Sequence, residues 1–120
     1  MSDSNINSVI AVLPVDDQDA AVEWYKKLLG RDADIVPVEG VAEWQLAGNA
    51  WIQVTTDSER AGSATVIIGV NDIDSQCKFC TAANVPHGEI IEYPKIIKMI
   101  EVIDPDGNKI AFVQDISNAT

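Results

Sequence analysis

Residues 8–15, "SVIAVLPV", are apolar and β-branched up to a proline, which a strand tolerates at its edge or end. The next stretch, "DDQDAAVEWYKKLLG", switches to a helical period. Asp16 or Asp17 serves as its N-cap, acids crowd its first turn, Lys26 and Lys27 occupy its last, and Gly30 stops it. Its apolar stripe, Ala21, Trp24, Tyr25, Leu28 and Leu29, has the spacing of one buried helix face, which assigns Trp24 to the core. Three short strands follow at about residues 33–38, 42–47 and 50–56, the last two joined by a two-residue Gly48-Asn49 loop.

The same order then begins again. "DSERAGS" is a polar connection, "ATVIIGV" a strand and "NDIDSQCKFCTAANV" a second capped helix; "GEIIEY", "IKMIEVI" and "KIAFVQD" supply three more strands. The chain therefore reads βαβββ twice. The repeat shows in the residues too, since "VLPVDDQDAAVEWYKKLLG" and "IIGVNDIDSQCKFCTAANV" both run from apolar strand through an acidic cap into a helix. The prediction is an α+β fold in one domain over residues 1–120, with one module over about 8–56 and the other over about 64–115. Two such modules can pair into a curved mixed sheet, with helices on its convex side and a concave cup left for ligands.

Charge narrows the partners. With 8 basic and 19 acidic side chains the net charge is -11, so the surface field repels phosphate backbones and anionic lipid. Nucleic acid and membrane are thereby excluded, while neutral and cationic small molecules remain. No apolar run approaches the roughly 20 residues of a membrane span. "MSDSNINS" lacks the basic start and apolar stretch of a signal peptide, which places the protein in the cytoplasm. The polar makeup of residues 1–7 and 116–120 predicts fraying at both ends. Cys77 and Cys80 sit too far inside the second helix for a redox pair, and a structural zinc would need two more ligands where His87 is the one histidine. They read as small apolar groups.

The stretches "AVLPVDDQDAAVEWYKKLLG", "GVNDIDSQCKFCTAANV" and "EVIDPDGNKIAFVQ" resemble the vicinal oxygen chelate superfamily of glyoxalases, bleomycin resistance proteins and extradiol dioxygenases. Enzymes of that family hold a divalent metal with His, Glu or Gln from the first and last strand of each module. Matched onto this chain, the resemblance puts those positions at Ile10, Gln53, Thr65 and Ala111. Ile10 and Ala111 cannot coordinate, Thr65 is a weak neutral hydroxyl, and Gln53 offers one carbonyl oxygen. The resemblance therefore implies no metal and no other cofactor, and argues against glyoxalase or dioxygenase chemistry. The "DPDGN" turn is structural: Pro105 presets φ and Gly107 takes positive φ, so Asp104, Asp106 and Asn108 are assigned no catalytic role.

Strand alternation then suggests the cup's lining. Ile10 brings Val12. With a two-residue loop at Gly48-Asn49, Leu46 faces Trp51 and Trp44 faces Gln53; Thr65 brings Ile67, and Glu101 sits opposite Ala111 as the cup's only charge. Tyr93, before Pro94, is placed at the rim. Trp44 and Trp51 line this face, or fill the core or a subunit interface. The bleomycin resistance branch binds cationic, partly planar drugs in grooves of an acidic dimer, so the resemblance implies antibiotic resistance by sequestration of a hydrophobic or cationic aromatic compound, in a homodimer. Two other readings stand beside it: a lyase, isomerase or epimerase-like enzyme of altered mechanism with Glu101 as general base, and an interaction module whose cup a partner closes.

Overall fold

The computed structural model describes residues 5–117; the expected fraying of residues 1–4 and 118–120 falls outside the described residues. The element order is β1 (Val9–Val15), α1 (Gln18–Leu29), β2 (Ile35–Val38), β3 (Val41–Ala47), β4 (Ala50–Thr56), β5 (Thr65–Gly69), α2 (Ile73–Ala82), β6 (Ile91–Tyr93), β7 (Ile97–Ile103) and β8 (Lys109–Asp115). This is βαβββ twice, an α+β fold. Each repeat forms a four-stranded mixed sheet, β1-β4-β3-β2 and β5-β8-β7-β6, in which the first strand runs parallel to the fourth and the rest are antiparallel. Among the described residues no helix is long and apolar enough to cross a membrane.

Both helices start as their sequences dictate. The Asp17 carboxylate accepts from the Ala20 amide, and Asp72 accepts from the amides of Asp74 and Ser75, satisfying N–H groups that a helix start leaves bare. Gly30 closes α1 in the left-handed conformation at φ 77°, donating its amide to the Lys26 carbonyl. The helices bury Ala21, Tyr25 and Leu28 from α1 and Ile73 and Cys80 from α2. These join Leu13, Val15, Ile52, Val54, Ile100, Val102, Ile110 and Phe112 in one apolar cluster fed by both repeats. Trp24 is partly buried against that cluster and meets Tyr25 edge to face, at 4.8 Å between ring centres. Both cysteines are free, Cys80 buried and Cys77 half-buried, and burial pushes both thiols upward.

A buried polar knot ties the repeats together, and the "DPDGN" turn is its centre. Asp104 and Asn108 are 4% and 0% exposed. Asp104 Oδ1 accepts from the amides of Asp106, Gly107 and Asn108, each at 2.9 Å. Its Oδ2 accepts from the Tyr25 hydroxyl of α1 at 2.7 Å and from Asn108 Nδ2 at 2.8 Å. Asn108 Nδ2 also donates to the Pro14 carbonyl at the end of β1, while its Oδ1 accepts from the Ala64 amide. These residues do more than close a hairpin: they satisfy buried groups on both repeats at once. Burial, then the hydrogen bond to Asp104 and its charge, push the Tyr25 hydroxyl far above its ordinary range. Gly62 lies against the same turn at φ 83°, where an added Cβ would fall 2.0 Å from the Asp106 carbonyl oxygen.

Candidate functional site

Each sheet has one face under its helix and one face free of helices. On the first, Ile10 stands opposite Trp51 and Val12 opposite Gln53. On the second, Thr65 stands opposite Lys109, while Ala111 lies between Ile67 on β5 and Glu101 on β7. Directly opposed residues share a face, and the residues between them, such as Leu13, Ile52, Ile100 and Ile110, are buried on the other. So Ile10, Val12, Trp51 and Gln53 share one helix-free face, and Thr65, Ile67, Glu101 and Ala111 share its counterpart. Both are open: Ile10, Val12 and Ile67 are 45%, 50% and 71% exposed. Tyr93 pairs with Ile97 at the outer edge of the second sheet and is half-exposed.

Trp44 and Leu46 are not on this face. The loop does join Ala47 to Ala50 as expected, but the ladder then slips, pairing Gln45 with Trp51, Trp44 with Ile52 and Glu43 with Gln53. Leu46 is an extra residue in β3, a bulge, and one extra residue reverses the side of everything before it. Trp44 is therefore completely buried under α1, its ring 6.2 Å from that of Tyr25 and its Nε1 donating to the Arg31 carbonyl at 3.0 Å. Leu46, with Trp51, Ala11, Ile52, Val66 and Ile68, walls an apolar cleft of about 270 Å³ where the first sheet meets β5.

The slip brings Glu43 onto the helix-free face in place of Trp44. There Gln53 Nε2 donates to Glu43 Oε2 at 2.7 Å, and the Thr55 hydroxyl donates to Gln53 Oε1 at 2.6 Å. All three are half-buried. Glu101 is consequently not the only charge: Glu43 occupies the other sheet, and Lys109, on Glu101's own face, sets its Nζ 3.7 Å from Glu101 Oε2. Glu43 and Glu101 hold equivalent places in the two repeats, each on the third strand of its sheet and opposite the last-strand residues Gln53 and Ala111. Alternation in "VAEWQLA" carried the signal for Glu43, since both polar residues, Glu43 and Gln45, fall on one side and Ala42, Trp44 and Leu46 on the other.

The model of the Glyoxalase/Bleomycin resistance protein/Dioxygenase superfamily matches residues 6–112. The chain belongs to that superfamily. A glyoxalase/bleomycin resistance protein from Catenulispora acidiphila is 30% identical, with a TM-score of 0.84 over 89% of this chain and 96% of that one. TnmS3, an antibiotic binding protein from a Streptomyces species, is 20% identical, with a TM-score of 0.76 over 96% of this chain and 98% of that one. A lactoylglutathione lyase from Agrobacterium tumefaciens is 15% identical, with a TM-score of 0.77 over 98% of this chain and 100% of that one. No curated protein sequence matches.

The superfamily's enzymes imply a metal, and the residues here do not fit one. Ile10, Gln53, Thr65 and Ala111 all lie on the helix-free faces, but they present two hydrocarbons, an amide and a hydroxyl. Gln53 already uses its carbonyl oxygen to accept from Thr55 and its nitrogen to hold Glu43. Among the described residues no three His, Cys, Asp or Glu side chains are grouped to hold a metal ion, whereas a catalytic centre takes about three protein ligands. What these faces can do is enclose carbon and hydrogen-bond to a few polar atoms.

Proposed function

We propose that the protein binds a small molecule without metal, in the manner of the bleomycin resistance branch, and sequesters a hydrophobic or cationic aromatic compound. The observation that carries this reading is the donor set at the four positions where relatives hold their ion: Ile10, Gln53, Thr65 and Ala111. Around them Trp51, Val12 and Ile67 supply indole and aliphatic surface, a lining suited to flat organic groups. The cleft of about 270 Å³ beside Trp51 is just below the roughly 300–1,000 Å³ of a drug-sized pocket, so it takes one ring of a ligand whose remainder lies on the open face. TnmS3, an antibiotic binding protein, agrees with this reading, but at 20% and 15% identity it and the lyase share the fold alone with this chain.

The enzyme alternative places Glu101 as general base. That carboxylate stands beside the Lys109 ammonium on an open face, outside the cleft beside Trp51. Pairing as a homodimer would cover Ile10, Val12 and Ile67, whose exposure in one chain leaves apolar surface in water. The test is elemental analysis of the purified protein together with a thermal-shift screen of aromatic amines, drugs and glutathione conjugates. A compound that raises the melting temperature and is recovered unchanged supports sequestration through mass action on the folded state. Stoichiometric metal, or turnover of the stabilising compound, defeats it. Sedimentation reports the dimer.

A further inference from the structure

The helix-free face of the first sheet carries Glu43, a carboxylate without an ion-pair partner among the described residues. Glu43 has no Lys, Arg or His nitrogen within 4.0 Å among the described residues, whereas Glu101 has Lys109 at 3.7 Å. Glu43 is instead held by a neutral chain, and the direction of that chain follows from its charge. An amide beside a carboxylate must present its N–H, because its carbonyl would be repelled; Gln53 therefore turns Nε2 to Glu43 and Oε1 to Thr55, whose hydroxyl donates. One Gln53 N–H is used in this way, and neither its second N–H nor Glu43 Oε1 has a hydrogen-bond partner among the described residues. Apolar side chains adjoin this chain: Ile35 stands opposite Glu43, Val12 opposite Gln53, and Ile10 and Trp51 follow along the same face, where Gln45 is the polar neighbour opposite Trp51.

We propose that the Thr55–Gln53–Glu43 chain is the cation-recognition element of the ligand face, with Glu43 Oε1 accepting from a protonated amine or amidinium and Trp51 packing on the adjoining ring. It rests on the binding function proposed above and deepens it, because it selects one class of guest, an organic cation joined to a flat apolar group, and assigns its charge to Glu43 rather than Glu101. Gln53 and Thr55 are positioning residues: they fix the carboxylate's rotamer before the ligand arrives, which lowers the ordering cost of binding. A half-buried carboxylate among hydrocarbon also attracts a cation more strongly than one in open water, since the local dielectric is lower.

The experiment titrates the full chain with 1-naphthylmethylamine and benzamidine, and with the neutral counterparts 1-naphthalenemethanol and benzamide, following tryptophan fluorescence and calorimetric heat. Wild type is expected to bind each cation more tightly than its neutral counterpart. Glu43→Gln is expected to weaken the cations about tenfold, the loss of one charge-assisted contact, while changing the neutral probes less than about twofold. Glu101→Gln is the control and should leave both classes within about twofold. Thr55→Val should weaken the cations about threefold and leave the neutral probes alone, a pattern a merely structural role would not give. If wild type binds both classes but Glu43→Gln spares the cations, or Glu101→Gln takes the loss, the assignment fails and the binding function stands. If wild type binds neither class, both fall.

Discussion

Replacing Tyr25 by phenylalanine removes one oxygen from the knot that joins the repeats, and its consequences follow a pH course that few other substitutions would imitate. The hydroxyl is buried and donates to Asp104 Oδ2 at 2.7 Å, while Asn108 Nδ2 also serves that oxygen, so the carboxylate is weakened but not orphaned. A hydrogen bond to a charged group contributes about 1.5–3 kcal/mol, and about 2 kcal/mol is expected here near neutral pH. The folded hydroxyl titrates far above 10.0, its value in the unfolded chain, so the folded state holds a proton that the unfolded state releases. That contribution is fully present below pH 10 and is lost as pH rises: about 1.4 kcal/mol at pH 11 and about 2.7 kcal/mol at pH 12. The Tyr25→Phe variant carries no such proton. The stability gap between the two proteins should thus be flat up to about pH 9.5, shrink above it and close near pH 11.5. Urea unfolding followed by tryptophan fluorescence at several pH values measures it. A gap below about 0.5 kcal/mol at pH 7, or one unchanged from pH 8 to 12, refutes the buried bond.

Gly62→Ala should destabilise by at least about 2 kcal/mol, because its Cβ would meet the Asp106 carbonyl at 2.0 Å and its φ of 83° is strained for alanine; thermal unfolding checks this. The two tryptophans on neighbouring strands should separate cleanly: Trp44→Ala costs about 3–5 kcal/mol as a core cavity, whereas Trp51→Ala, on the open face, should cost about 1 kcal/mol or less and instead weaken the ligand. Urea titration of both variants shows whether the bulge is where we place it. Since burial pushes both thiols upward, Cys80 should resist iodoacetamide near neutral pH until the chain unfolds and Cys77 should react slowly, as mass spectrometry of timed samples would show.

Most of the fold was legible because its signals are local. Asp17, Gly30 and Asp72 announce helix ends through bonds made within four residues, and the apolar period of each segment names its type. The repeat supplied the topology, since a unit that reads βαβββ twice has few ways to bury both helices. The knot was only half legible. "DPDGN" marks a turn on any chain, but that Asp104 reaches Tyr25 and Asn108 reaches Pro14 depends on contacts across 79 and 94 residues.

The helix-free face departs from its sequence reading at one residue, and the departure shows which force prevails when two rules conflict. Hairpin geometry alone, with Ala47 opposite Ala50, puts Trp44 and Leu46 in the open and carries Glu43 and Gln45 under α1. Burying a carboxylate there without a partner would cost several kcal/mol, and exposing an indole would forfeit the burial of the largest side chain in the core. A bulge at Leu46 costs a local irregularity and one ladder bond, which is the smaller sum, so the sheet slips and the binary pattern wins over the turn. The second repeat faced no such conflict. Its longer Asp104–Asn108 loop already sets Glu101 opposite Ala111, and the outcome is that both repeats present a glutamate at the same place by different routes. One of them then acquired a lysine neighbour and the other an amide, so the charge that was expected at Glu101 is left uncompensated at Glu43.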